Sequence, residues 1–428
     1  MNLNLTHIIS FCKGVFHGNS TEFTASHISI DSRSLQNGSN TLFFAIKGQN
    51  HDAHLYLEEL IAKGVRYFVV EYIPEHVYEK ANFIIVENSL KALQQTAIGY
   101  RKQFDFPFVG ITGSNGKTIV KEWLNFLLSP NHLIVRNPKS YNSQVGVPLS
   151  ILAIEGNYDL GIFEAGISLP NEMSNLEHII QPKYGILTNI GSVHDEGFSN
   201  REAKIKEKIK LFENCSNIFL EKNAEIEVLL PENSQKHTWS FSDESANLFV
   251  SKKNENGKTE LTFKNAANTF SVNIPFTDEN SIENVITCVN FMLFLREEIA
   301  FIQNRVAELY PVELRLQAKK GINNCLVIDD SYSVDYQSLK IALDFLEQQK
   351  LHDKKTIILS DIFTSGIAAE TLYNQVKQLL SKNKIERIIT IGETIGKQLN
   401  DLPNVISFAT TQEFLQQFNT QSFQNETI

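Results

Sequence analysis

Basic residues are in deficit in this 428-residue chain: 39 lysines and arginines stand against 49 aspartates and glutamates, a formal net charge of -10. Binding nucleic-acid phosphates calls for the opposite balance, so nucleic acid is excluded as a partner and a small molecule or protein is favoured. Cysteine is scarce as well. Cys12, Cys215, Cys288 and Cys325 form no C-x-x-C pair and have no histidine at zinc spacing. That excludes a zinc knot or a disulfide framework and points to core thiols in a reducing compartment. No run approaches the roughly 18 apolar residues of a membrane span, and the N-terminal MNLNLTHIISFCKGVF has no basic region before its short apolar patch. The expectation is a cytoplasmic protein without membrane contact. Its composition, 42% hydrophobic and 21% charged, is that of an ordinary globular chain. Its length suits about three domains.

The most informative stretch that is present runs from residue 108 to 128, FVGITGSNGKTIVKEWLNFLL. An apolar strand leads into a loop of Gly113, Ser114, Asn115, Gly116, Lys117 and Thr118, and an amphipathic helix follows with Val120, Trp123, Leu124 and Leu127 on one stripe. Glycines let backbone N–H groups turn inward around an anion, Lys117 reaches a terminal phosphate, and the Thr118 hydroxyl is a magnesium ligand. The loop therefore reads as a nucleoside triphosphate cradle. Its spacing departs from the usual one, because the position of the first glycine falls on Ile111 with Gly110 one place early. A glycine-rich turn that binds nothing is the competing reading.

By pattern the chain divides into 1–86, 87–310 and 311–428, and the fold class is α/β. The first segment has short strands (TLFFAIKG, YFVVEY, FIIVE) around a helix near Ala53 to Lys63, and a helical stretch from Ser89 to Phe104 looks like a connector. The second alternates buried strands (FVGIT, HLIVR, LGIFEAG, YGILTNI, SNIFLE) with helices, which predicts a mostly parallel sheet, with an antiparallel ribbon between Lys258 and Phe276. The third repeats the alternation (CLVIDD, TIILSDI, RIITIG, VISFA) in a Rossmann-like layout without G-x-G-x-x-G, so it is not read as a dinucleotide site. It ends in QNETI, the start of a strand, and the expectation is a domain cut short within a longer polypeptide.

Ligands of parallel sheets gather beyond the carboxyl ends of the strands, where the phosphate loop, Glu164, Asn189 and His194 all fall. Glu164 closes an apolar strand and suits magnesium, which favours one or two carboxylates plus phosphate oxygens. The bland alternative is a glutamate bonded to a neighbouring amide. His194, in TNIGSVHDEGF, is by itself more often structural than functional. In REAKIKEKIKLF, Lys204, Lys206, Lys208 and Lys210 read either as a solvated helix face or as a face with one lysine turned toward the nucleotide.

Taken together these residues resemble the Mur ligase family, ATP-dependent enzymes that extend the peptide stem of the bacterial cell-wall precursor. ISIDSRSLQNGSNTLFFAIKGQNHDAH is similar to the family's UDP-sugar domain, TGSNGKT to its ATP loop and YNSQVGVPLSIL to the segment after it. FEAGISLPNEM, TNIGSVHDEGF and KIKEKIKLF stand at its glutamate, histidine and carbamoylated-lysine motifs. The resemblance implies a three-domain architecture, with a small α/β N-terminal domain, a central ATPase-like sheet and a Rossmann-like C-terminal domain. Within the family, PVELRLQAKKGINNCLVIDDSYSVDYQSLKIALDFL is nearest to the branch that adds D-alanyl-D-alanine to UDP-MurNAc-tripeptide, especially in versions fused to an alanine racemase.

That resemblance implies ATP and two magnesium ions, one held by Thr118 and Glu164 and the other by His194 and a carbamoylated Lys208, with Lys117, Lys208 and His194 as the catalytic set. It also implies that Asn284, Arg315, Asp330 and Tyr332 serve the nucleotide or domain closure. Asp31, Ser32, Arg33 and Asn142 would serve the UDP-sugar substrate. Pyridoxal phosphate is not expected, and a racemase domain would lie further along the polypeptide. Ser333, Asp335, Asn171 and Ser281 depart from the family's usual residues. Three alternatives compete with it: a ligase adding a diamino acid, against which no DNPR-like motif occurs; a folylpolyglutamate-type enzyme, which does not suit the DSR pattern; and a nucleotide-binding module without catalysis.

Overall fold

Strand Phe108–Thr112 lies inside a nine-stranded sheet and is buried on both faces, which is why it is apolar throughout. The sheet order is Thr269–Ile274, Lys258–Lys264, Leu248–Glu255, Gln235–Ser240, Asn217–Glu221, Tyr184–Leu187, Phe108–Thr112, Leu160–Glu164, Ile134–Arg136. Pairing is parallel from Ile134–Arg136 to Leu248–Glu255, and the last two strands add an antiparallel ribbon, as their alternation predicts. The computed structural model describes residues 3–33, 35, 38–48, 51–191, 198, 200–255, 258–311, 317–331, 336–349, 351–362, 368–383, 385–419 and 422–428. His194, Arg315 and Tyr332 lie outside the described residues.

Alternation along the central strands sends side chains to two cores. Val109, Ile111 and Ile162 meet Val120, Trp123, Leu124 and Leu127 of helix Lys117–Leu128 and the buried stripe of helix Glu279–Phe294. Phe108 and Phe163 face the other way, onto helices Gly146–Leu152 and Glu172–Ile180. Helix Ser89–Arg101, started by the Asn88 side chain accepting from the Lys91 amide at 2.8 Å, is more than a connector. Its Leu93, Ala97 and Tyr100 join a buried cluster containing Leu5 and Ile8 on one side and Ile151 and Leu176 on the other.

The N-terminal part carries a five-stranded sheet in the order Val15–His17, Asn82–Ile85, Tyr67–Val70, Thr41–Phe44, His27–Ser29, antiparallel only at the first pair. In the C-terminal part, Thr356–Ser360, Arg387–Ile391 and Val405–Phe408 form a parallel sheet. Gln317–Lys320 and Leu326–Asp329 form a hairpin. The terminal residues lie between these two pieces: Thr427 bridges in parallel to both Leu326 and Lys355, and the Thr356 amide donates to the Thr427 carbonyl at 2.9 Å. Helices Tyr336–Gln348 and Ala369–Lys382 follow the strands in CLVIDD and TIILSDI, as the alternation predicts. No helix among the described residues is long and apolar enough to cross a membrane.

Candidate active site

The loop after Phe108–Thr112 is held open by the neighbouring strand end. The Asn189 carbonyl accepts from the Ser114 amide at 2.8 Å, and its Oδ1 accepts from the Asn115 amide at 3.0 Å. The Thr188 hydroxyl donates to the Asn115 carbonyl at 2.5 Å, and the Gly191 amide donates to Ser114 Oγ at 3.0 Å. Two positions demand glycine. Gly113 has φ +150° and a Cβ there would meet Thr188 Oγ1 at 2.0 Å; Gly116 has φ +81° and a Cβ would meet Asn284 Oδ1 at 2.3 Å. Asn284 therefore sits directly against the loop, and its Nδ2 is buried without a hydrogen-bond partner among the described residues.

Lys117 opens the following helix and donates back to the carbonyls of Gly113 and Ser114 at 2.9 and 3.0 Å. Lys208 reaches the same loop from helix Arg201–Ile209, donating to the Gly113 carbonyl at 3.0 Å. Its helix resolves the ambiguity of the lysine run. Lys204 and Lys208 are buried, whereas Lys206 pairs with Glu202 and Lys210 with Glu207.

On the other side of the loop is a platform around Glu164, which is fully buried. Asn137 pairs with the backbone of Glu164: its Oδ1 accepts from the Glu164 amide at 3.1 Å and its Nδ2 donates to the Glu164 carbonyl at 3.0 Å. Asn142 Nδ2 donates to Glu164 Oε1 at 3.3 Å, and Lys121 Nζ stands 3.9 Å from the same oxygen. Among the described residues Glu164 Oε2 has no hydrogen-bond partner, and a buried carboxylate oxygen in that condition is costly unless a cation meets it. The Thr118 hydroxyl lies 3.1 Å from Ser140 Oγ on the same loop as Asn142. Among the described residues no three His, Cys, Asp or Glu side chains converge on a metal position. A hydroxyl, one carboxylate oxygen and substrate phosphates are nonetheless the donor set magnesium takes.

The sequence reading missed Lys121, Asn137, Ser140 and Thr188. Lys121 falls one turn past Lys117 on a helix whose other polar residues, Lys117, Thr118, Glu122 and Asn125, are all only half-buried, so its burial has no local signal. The remaining expected residues lie elsewhere. Asp31 and Arg33 follow strand His27–Ser29 of the five-stranded sheet and pair through two bonds of 2.9 and 3.0 Å; the guanidinium holds the Asp31 carboxyl down at about 2. The Ser32 carbonyl accepts from Lys63 Nζ at 2.9 Å. Asp330 directly follows strand Leu326–Asp329.

Beside Asn284, burial and then the like charges of Glu221 and Glu279 push the Glu283 carboxyl up to about 7. A carboxylate raised on folding binds more protons folded than unfolded between its ordinary value and about 7, so it costs stability increasingly as pH rises through that window. Glu283→Gln is therefore expected to raise the melting temperature, by more at pH 8 than at pH 5; an equal shift at both would contradict the titration.

A family model described as the Mur ligase middle domain matches residues 111–292. The UDP-N-acetylmuramoyl-tripeptide–D-alanyl-D-alanine ligase of Borreliella burgdorferi is 29% identical over 426 residues, which cover 92% of this chain and 88% of that protein. A crystal structure of MurF from Acinetobacter baumannii matches with a TM-score of 0.83 at 21% identity, covering 100% of this chain and 95% of its own. MurF ligase from Thermotoga maritima in complex with ADP matches at 0.76 and 20%, covering 94% and 92%. At such identities the two structures establish the three-domain fold.

Proposed function

The chain belongs to the Mur ligase family, and on that premise we propose that it joins D-alanyl-D-alanine to UDP-MurNAc-tripeptide in an ATP-dependent, ADP-forming amide ligation of peptidoglycan precursor synthesis. The observation that carries this reading is the phosphate loop Gly113–Thr118 set beside Glu164, whose Oε2 is buried with no partner among the described residues. The proposed division at residues 86 and 310 gives the UDP-sugar to the first domain, ATP to the second and closure to the third.

In this reading the tripeptide's terminal carboxylate attacks the γ-phosphorus, forming a C–O–P linkage as the bond to the β-phosphate oxygen breaks and ADP leaves. The amine of D-alanyl-D-alanine then attacks the acyl carbon; the C–N bond forms, the C–O bond to phosphate breaks, and the nitrogen gives up a proton. Both partners of the first step are anions, so cationic screening is required. Lys117 leaves its carbonyl partners to meet the terminal phosphate, the amides of Gly116, Lys117 and Thr118 meet the phosphate chain while those of Ser114 and Asn115 stay on Asn189, and Asn284 Nδ2 meets the adenine. Thr118 and Glu164 Oε2 would hold one magnesium ion, and His194 with a carbamoylated Lys208 a second. When bound, these ions neutralise phosphoryl oxygens. Asn142 is assigned to the tripeptide end, and Asp31, Ser32 and Arg33 to the UDP-sugar. Arg315, Asp330 and Tyr332 would come to the nucleotide from the third domain. Carbamoylation of Lys208 requires the neutral amine.

The test is ADP release with ATP, magnesium, UDP-MurNAc-tripeptide and D-alanyl-D-alanine, leaving out one component at a time. Release that needs all four and yields the pentapeptide is expected. Nucleotide binding without substrate-dependent release would replace the ligase by a binding module.

A further inference from the structure

Lys121 is a buried charge in the helix that follows the phosphate loop. It is fully buried in helix Lys117–Leu128, and burial pushes its ammonium below the ordinary lysine value against the opposing pull of Glu164 and Glu122. Taking an ammonium out of water costs several kcal/mol. A leucine or methionine would fill the same space without that cost, so packing does not account for a charge here.

Its partners supply another reason. Nζ donates to the Asn137 carbonyl at 2.8 Å and to the Lys139 carbonyl, lies 3.3 Å from Glu122 Oε1, and stands 3.9 Å from Glu164 Oε1. Lys121 thus ties the phosphate-loop helix to the 137–142 loop and to the strand-end carboxylate at once. Its effect on Glu164 is one-sided. Lys121 and Asn142 both address Oε1, while Oε2 is buried and has no partner among the described residues.

A carboxylate engaged at one oxygen presents a single donor. Magnesium demands a small, near-octahedral shell and readily takes one oxygen from a carboxylate, whereas calcium has a larger, flexible shell and accepts both. We infer that Lys121 is a positioning residue that selects the metal ion: with Asn142 it holds Glu164 as a one-oxygen ligand and so favours magnesium over calcium. The ammonium also repels any cation drawn toward Oε1, the position a two-oxygen binding mode requires. This inference rests on the proposed magnesium site at Thr118 and Glu164.

The test uses the full chain without peptide substrates and measures ADP affinity calorimetrically in magnesium and in calcium, for wild type, Lys121→Met and Lys121→Gln. Methionine keeps the volume and removes the charge; glutamine keeps a donor and removes only the charge. The wild type is expected to bind ADP more tightly with magnesium. In either variant that preference is expected to fall about tenfold, chiefly through tighter binding in calcium, because Oε1 becomes available and a repelling charge is gone. Placing Glu164→Gln in the same variant should leave no further dependence on residue 121. A preference unchanged within about twofold in a folded variant overturns the inference and leaves the site reading intact. A wild type that binds ADP equally with and without either metal fails the site reading itself. Loss of cooperative melting in both variants would make Lys121 a framework residue and also overturn the inference.

Discussion

Lys117→Ala is expected to reduce substrate-dependent ADP release on the order of 10³-fold or more, with little change in melting temperature. The size follows from the charge problem of the first step. A carboxylate must approach a triphosphate, and Lys117 is the loop's own mobile cation. Its bonds to the Gly113 and Ser114 carbonyls span only four and three residues, so these two shape the loop rather than the fold. The strand and helix beside it are held by the apolar stripe of Val120, Trp123, Leu124 and Leu127. Turnover within about tenfold of wild type would remove Lys117 from the chemistry and with it the phosphate-cradle reading. Lost turnover with a lost melting transition would instead make it structural.

The second large effect is on stability, in the third domain. Glu426 is fully buried; its Oε2 accepts from Arg387 Nη2 at 2.6 Å and from the Thr356 hydroxyl, and its Oε1 accepts from Lys354 Nζ at 3.1 Å and the Gln424 amide at 3.0 Å. The cations left behind, Lys354 and Arg387, are partly exposed, so the loss is that of hydrogen bonds to a charged group, about 1.5–3 kcal/mol, and Glu426→Ala is expected to lower the third domain's unfolding free energy by about that amount in urea. The pH dependence has a definite sign. Burial would raise this carboxyl, but the Thr356 hydroxyl, Arg387, Lys354 and the Gln424 amide outweigh it and hold the group below its ordinary value. Its stabilisation is then present above the unfolded carboxyl's value and lost as pH falls through the folded one. The gap in melting temperature between wild type and Glu426→Gln should be wide at pH 7 and close in acid. A gap that persists unchanged in acid would show that the ion pairs are not its source.

What the sequence made legible is what local pattern encodes. The strand–loop–helix around Gly113 to Thr118, the central run of parallel strands and the ribbon near Lys258 all follow from apolar period and glycine placement. Glu164 stood out because a charge closing an apolar strand has no local excuse. Lys121 stayed hidden because its charge looks ordinary on an amphipathic helix; only the approach of the Asn137 and Lys139 carbonyls, sixteen and eighteen residues away, reveals its burial. The lysine run from Lys204 to Lys210 was ambiguous for a similar reason: charge period does not say which helix face is inward. The role of helix Ser89–Arg101 was equally invisible, since its amphipathic stripe does not name the surfaces it covers.

That helix sets how the protein comes apart. Its buried side belongs to one continuous core reaching from Leu5 in the first helix to Leu230 beyond the phosphate loop, whereas Leu343, Leu372 and Val376 of the third domain form a core of their own. The first two domains cannot separate without opening their shared interior. The molecule thus has three domains by shape but two units of cooperativity: heating should melt it in two calorimetric steps, and a protease entering near the exposed Tyr310 would release the last part while leaving the first two as one folded fragment.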